Sequence, residues 1–241
     1  MEKDMKPTHQ FWLGILVGLS LGSVLRRAAT RGFSQDSIRR VYNVWAPLYQ
    51  LANVYLLGQL PSMRRLAVKR LQLEPGDSVL EISCGTGANF PYLQEQIGPG
   101  GRLVGLDYTQ AMLDEARQLV KERGWQNVEL LRADASGLDL NEKFDGVLWM
   151  LAASVVPAWQ EALKRAVAHL KPGGWLVIAD ARLSERWYAR PFNWYANIMG
   201  LGAAADISRR PWERLPGDLI KVGYDELLLG FLYIVWGQKA P

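Results

Sequence analysis

The sequence predicts an α/β fold: a doubly wound, seven-stranded sheet that closes on an antiparallel hairpin, with an apolar helix in front of it. Three observations predict it. Between residues 61 and 180, short apolar runs alternate with helical patterns, the rhythm of parallel strands joined by crossover helices. The run from Val79 to Phe90 passes from a buried strand through a glycine turn into a helix start. Two further apolar runs, Asp225 to Leu229 and Phe231 to Gly237, are separated by Gly230 alone, which leaves room only for a tight turn between antiparallel neighbours.

Each element can be justified in order. Arg39 to Leu60 reads as a helix interrupted by Tyr42, Trp45 and Tyr49, and Pro61 to Leu71 as another. Pro75-Gly76-Asp77 turns into a first strand, Ser78 to Ile82. A helix from about Asn89 to Ile97 is closed by Gly98-Pro99-Gly100-Gly101, and a second strand, Arg102 to Leu106, ends at Asp107. In residues 110 to 123, Met112, Leu113, Ala116, Leu119 and Val120 fall near helical spacing, and Gly124 stops that helix. Val128 to Arg132 is a third strand, ending near Asp134. Phe144 to Met150 is a fourth, apolar enough for burial on both faces. A helix over 158 to 170 leads through the turn Lys171-Pro172-Gly173-Gly174 into a fifth strand, Trp175 to Asp180.

Composition sets bounds on the function. A chain of 241 residues, 49% hydrophobic, closes one substantial core rather than two. Twenty-eight basic against 24 acidic residues leave a net charge of only +4, too small and scattered for a nucleic-acid binder but compatible with an anionic membrane surface. The single cysteine, Cys84, excludes an internal disulfide framework and a cysteine-based metal cluster, and it suits a reducing, cytoplasmic setting. Of the two histidines, His169 falls at the end of a helical pattern, where a cation suits the dipole. No metal site, phosphate-binding Walker loop or Ser/His/Asp arrangement is legible.

The N-terminal 31 residues differ from the remaining domain, 32–241. Residues 11 to 25 carry no charge and run directly into Arg26-Arg27. As a helix they measure about 22 Å, short of a hydrocarbon core of about 30 Å, so spanning requires thinning, snorkelling or help from the flanks. Gly14, Gly18 and Gly22 share one face, the spacing of membrane-helix dimers. Trp12 and the arginines 26, 27 and 31 read as interfacial anchors, with the domain 32–241 on the cytoplasmic side. A helix packed on the domain is the competing reading. A signal peptide is disfavoured by the arginines and by the lack of a small-residue cleavage site.

The glycine turn followed by Asp107, 22 positions beyond Gly85, indicates an adenosine-containing cofactor. The dinucleotide fingerprint wants a third small residue where this chain has Phe90, which argues against nicotinamide. Five features occur together in order: Leu80-Glu81-Ile82-Ser83-Cys84-Gly85-Thr86-Gly87, Leu106-Asp107, Ala133-Asp134-Ala135, Phe144-Asp145-Gly146-Val147, and Leu170-Lys171-Pro172-Gly173-Gly174. With them, residues 38 to 239 resemble a Rossmann-like class I S-adenosylmethionine-dependent methyltransferase. Tyr42-Asn43-Val44-Trp45-Ala46-Pro47-Leu48-Tyr49 is similar to the aromatic N-terminal helix of the quinone-biosynthesis and bacterial phosphatidylethanolamine methyltransferases. Ser83 stands where the family usually has glycine, and Gln50 where the subgroup has aspartate.

The resemblance implies S-adenosyl-L-methionine as cofactor and assigns roles. Gly85 and Gly87 let the loop backbone approach it, with Ser83 in the same loop. Glu81 lies near the methionine amino group, Asp107 accepts from the ribose hydroxyls, and Tyr108 covers an adenine face. Asp134 accepts from the adenine amino group beside Ala135, and Met150 lines the methyl-transfer region. Tyr42 closes over the cofactor. Tyr42, Tyr195 and Asp180 are the candidates for a base, should the acceptor need one.

Residues 184–222 form a lid insertion in which aromatics such as Trp187, Tyr188 and Trp212 mix with arginines, chemistry suited to a membrane interface. The expected function is therefore methyl transfer to a membrane lipid-type acceptor, a phospholipid headgroup amine or an isoprenoid quinone, at the cytoplasmic face of a membrane or in the cytoplasm. The alternatives are a soluble small-molecule methyltransferase and a non-catalytic module of the same fold.

Overall fold

The computed structural model describes residues 60–190, 193 and 206–241. The segment 11–25 with its glycine face, the helix expected up to Leu60, Tyr42 and Tyr195 lie outside the described residues. Among the described residues no helix is long and apolar enough to cross a membrane.

The first helix, α1 (Leu60–Arg70), leads into β1 (Ser78–Ile82), and α2 (Phe90–Ile97) into β2 (Arg102–Asp107). Then follow α3 (Gln110–Arg123), β3 (Val128–Arg132), β4 (Phe144–Met150), α4 (Trp159–Ala168) and β5 (Leu170–Ala181). The hairpin of β6 (Leu219–Leu227) and β7 (Leu232–Lys239) completes the sheet, ordered β3-β2-β1-β4-β5-β7-β6. The first five strands are parallel, and β7 runs antiparallel to both β5 and β6, as the closing hairpin requires.

Strand alternation sends side chains into two apolar layers. Leu80, Ile82, Val147 and Trp149 pack with Ala162, Leu163 and Val167 of α4 on one face. Val79, Leu103 and Leu148 pack with Met63 of α1, Leu93 of α2 and Leu113 of α3 on the other. Helices on both faces of a parallel sheet are the doubly wound architecture. Its register puts Ile82 beside Leu106, so β1 and β2 end together and hand Glu81 and Asp107 to one edge.

Glycines meet distinct needs here. Gly98 and Gly124 end α2 and α3 with φ of 64° and 68°, conformations that a side chain disfavours. Gly105, within β2, matters for space: a Cβ there would stand 2.7 Å from Phe90 Cζ and 3.1 Å from Cys84 Sγ. The missing side chain seats Phe90 beneath the loop.

Two boundaries differ from the sequence reading. Lys171-Pro172-Gly173-Gly174 is not a separate turn but an irregularity inside β5: Phe144 pairs with Leu170 and Gly146 with Trp175, so extra residues are absorbed with Gly173 at φ 79°. Strand β6 begins at Leu219 rather than Asp225. After the buried Leu219, residues 220–222 are solvent-exposed, with a register shift between Ile220 and Gly223, and offer no buried alternation to read.

Gly105→Ala should lower unfolding free energy by about 1–3 kcal/mol, because Phe90 is fully buried and has nowhere to retreat. A lower urea midpoint at unchanged m-value is the expected observation.

Candidate functional site

A cleft opens at the C-terminal ends of β1, β2 and β4, where a parallel sheet presents loops and helix starts instead of side chains from a continuing strand. The structure brings Glu81, Ser83, Gly85, Asp107, Tyr108, Asp134, Ala135 and Met150 together in its lining. Gly87 stands elsewhere. A Cβ on it would meet Phe90 Cδ2 at 2.6 Å and its φ is 76°, so both packing under the loop and backbone conformation call for glycine. Gly85 has φ 56° and nothing within 4 Å of the place a Cβ would occupy, so its requirement is conformational and its face is clear. Ser83 adopts φ 55° without glycine's freedom, a left-handed conformation costing about 1–2 kcal/mol.

Asp107 organises the loop. Its Oδ2 accepts from the Gly85 N–H at 2.9 Å and its Oδ1 from the Thr109 N–H at 2.8 Å. Burial raises its pKa, and the backbone N–H groups of Thr109 and Gly85 pull it back. An ionised carboxylate has lone pairs for further donors beyond these two.

Glu81 is buried within a relay that sequence reasoning missed. Arg64 Nη1 donates to Asn89 Oδ1 at 2.5 Å, and Asn89 Nδ2 donates to Glu81 Oε1 at 2.5 Å. Glu81 Oε2 is buried and has no hydrogen-bond partner among the described residues. Burial pushes the Glu81 carboxyl up to about 8, against the lowering effects of Asn89 and Arg64, with the Asp107 charge adding to the rise. A partnerless carboxylate oxygen on a cleft wall is a place for a cationic donor. Arg64 was signalled by its place on α1, since Leu60, Arg64, Ala67 and Leu71 share one helical stripe. Its charge concealed it.

Asp134 Oδ1 accepts from both the N–H and the hydroxyl of Ser136 and caps the short turn Ala135–Gly137 that carries Ala135 into the cleft. Beyond Met150, Leu151 takes φ 55°, and Ala152, Val155, Val156 and Pro157 form an apolar wall. That wall is held from outside. Ser154 N–H donates to Asp180 Oδ2, and the Asp206 N–H donates to the Ser154 carbonyl, each at 2.8 Å. The half-buried Arg209 guanidinium donates to the Ala153 carbonyl at 2.8 Å and the Val156 carbonyl at 2.5 Å.

This geometry bears on the candidate bases. Asp180, raised to about 6 by burial, turns its oxygens to the N–H groups of Ser154 and Ala181 rather than into the cleft. Tyr42 and Tyr195 lie outside the described residues. His169 Nε2 accepts from the Leu140 N–H at 2.9 Å while Nδ1 faces the Arg165 carbonyl at 2.7 Å, which fixes it as the end of α4. The Cys84 thiol is pushed well above its ordinary range by burial, with Asp107 and Glu81 adding to the rise, which disfavours the thiolate. Among the described residues no cluster could hold a metal ion.

Comparison with known proteins follows the same lines. Residues 79–174 match the methyltransferase domain family. The chain is 31% identical over 148 residues to the demethylmenaquinone methyltransferase of Listeria welshimeri, covering 61% of this chain and 63% of that protein. It thus spans just under two thirds of that relative's length. The demethylmenaquinone methyltransferase of Lactobacillus johnsonii is 29% identical over 188 residues, covering 73% and 77%. In fold, the chain is similar to a SAM-dependent methyltransferase from Aquifex aeolicus, with a TM-score of 0.53, 20% identity, and coverage of 73% and 89%.

Two predictions arise from these contacts. The unfolded Glu81 titrates near 4.5 and the folded one near 8, so its contribution to stability is full below about 4.5 and is lost as pH rises to about 8. Glu81→Gln should remove that loss: the melting temperature of the variant, relative to the parent chain, should climb between pH 4.5 and 8. Arg209→Gln removes the donor from two loop carbonyls and should cost about 1–3 kcal/mol in chemical denaturation, with Arg209→Lys intermediate.

Proposed function

Given that this chain belongs to the class I S-adenosylmethionine-dependent methyltransferases, we propose that it transfers a methyl group to a membrane lipid-type acceptor, foremost an isoprenoid quinone ring. The observation that carries the donor side is the pair of buried carboxylates, Glu81 with a partnerless oxygen and Asp107 with spare acceptor capacity, flanking the clear face of Gly85. These residues fit S-adenosylmethionine. Glu81 would hold its ammonium, Asp107 its ribose hydroxyls, and the Asp134–Ala135 turn its adenine. Tyr108 stands beside Asp107 to cover the ring.

The bound cofactor supplies a sulfonium methyl that is already electrophilic. What remains for the protein is alignment and exclusion of water. Met150 and the wall of Ala152, Val155 and Val156 line the cleft with apolar surface. The wall's backbone is pinned by Asp180 and Arg209, which limits its freedom to drift once an acceptor is seated.

The likeness to demethylmenaquinone methyltransferases supports a quinone-type acceptor, and residues 11–25 support its delivery from a membrane. The expected setting is the cytoplasmic face of that membrane, with Gly14, Gly18 and Gly22 available for pairing of two chains.

Incubation with methyl-labelled S-adenosylmethionine and a total membrane lipid extract should place label in an isoprenoid quinone. Label confined to phospholipid amines would transfer the reading to headgroups, and label only in water-soluble products would sink it. Asp107→Ala should weaken cofactor binding about 10–100-fold by calorimetry, the worth of hydrogen bonds to a charged acceptor.

A further inference from the structure

We propose that the tip of the β6–β7 hairpin, together with the segment Ser184–Tyr188, is a docking surface for an anionic lipid bilayer. The tip is Leu228-Leu229-Gly230. Leu228 and Leu229 adopt φ of 47° and 55°, conformations that disfavour a branched apolar side chain and favour glycine or asparagine. Both are exposed, Leu229 to 56%. A hairpin that carries strained leucines into water gains nothing from them within the chain.

Beside the tip stands Trp187, 79% exposed, with Tyr188 edge-on to it at 5.7 Å. The two segments form one surface. Ser184 Oγ donates to the Leu229 carbonyl at 2.6 Å, Arg186 reaches Glu226 at 2.5 Å, and its other guanidinium nitrogen donates to the Tyr188 hydroxyl at 2.9 Å.

Three observations favour lipid over a protein partner. The apolar groups sit on a projecting turn, suited to shallow insertion rather than to flat complementarity. Their composition, exposed leucines with tryptophan and tyrosine beside arginine, is that of an interfacial anchor. The segment from Arg182 to Arg190 carries three arginines against one glutamate, and Glu226, the acid at the tip, is already paired with Arg182 and Arg186. The excess is positive, as an anionic surface requires.

Position adds a consequence. β5 ends at Ala181 and β7 starts at Leu232, paired with it, so the tip projects from the same sheet edge as the ends of β1, β2 and β4. A bilayer touching the tip faces the edge that bears the cleft. That connection rests on the acceptor reading above, whereas docking itself does not.

The test labels the full chain with a thiol-reactive, environment-sensitive fluorophore at Leu229→Cys, the native Cys84 being buried. A second protein carries the label at Gln126→Cys, on the opposite edge. Vesicles of equal parts phosphatidylcholine and phosphatidylglycerol should blue-shift the label at residue 229 and leave that at residue 126 unchanged. In the unlabelled chain, Leu228→Asn with Leu229→Gly should melt no lower than the parent and, with Trp187→Ser added, show several-fold weaker vesicle binding. Binding of the chain with no shift at residue 229, equal shifts at both labels, or a shift that grows with protein concentration without vesicles would each overturn the proposal. Vesicle docking by a chain that methylates only water-soluble acceptors would leave it standing and reject the acceptor reading alone.

Discussion

Asp107 ends one strand and accepts from the start of two other pieces of chain, the loop at Gly85 and the turn at Thr109 that opens α3. A single carboxylate therefore sets the distance between β1's loop and β2's. It can do so because the parallel register brings Ile82 and Leu106 level. The cleft exists in the gap that this pairing holds open, and Tyr108, Asp134 and the relay behind Glu81 are arranged around it. Such a carboxylate has two duties, to hold the protein's own backbone and to offer what remains of its lone pairs outward.

The opposite wall is governed differently. Residues 151–157 contain no regular element and gain their shape from outside: Asp180 holds Ser154 from the sheet, while Asp206 and Arg209 hold Ser154, Ala153 and Val156 from the segment between β5 and β6. One side of the cleft is thus part of the sheet, and the other wall is a loop after β4 that residues of a later segment hold in place. Variation in the insertion can reshape the second without disturbing the first, which suits a fold whose cofactor is constant and whose acceptors differ.

How much could be read beforehand depended on burial. Strands β1, β3 and β4 fell on the residues expected, because short apolar runs bounded by turn residues have few other arrangements. The start of β6 was missed because an exposed, bulged edge strand has no buried face to imprint a pattern. Glu81 and Asp134, expected from the family resemblance, and Asp107, expected also from its place after the second strand, all line the cleft. Arg64 was not legible, since a charge in an apolar helical stripe reads as solvent-facing until its partner Asn89 is seen 25 residues away. Gly87 meets two demands of the chain itself, a φ of 76° and the nearness of Phe90, that the glycine pattern alone does not reveal. Tyr42, Tyr195 and residues 11–25 lie outside the described residues.

Phe90 links positions that a substitution table would treat as independent. Its ring fills the space above both Gly87 and Gly105, on separate elements, and touches the place where either would carry a Cβ. A side chain at 87 or 105 would collide with the ring, whereas a smaller residue at 90 would open a void beneath the loop, so each position constrains the other two through packing alone.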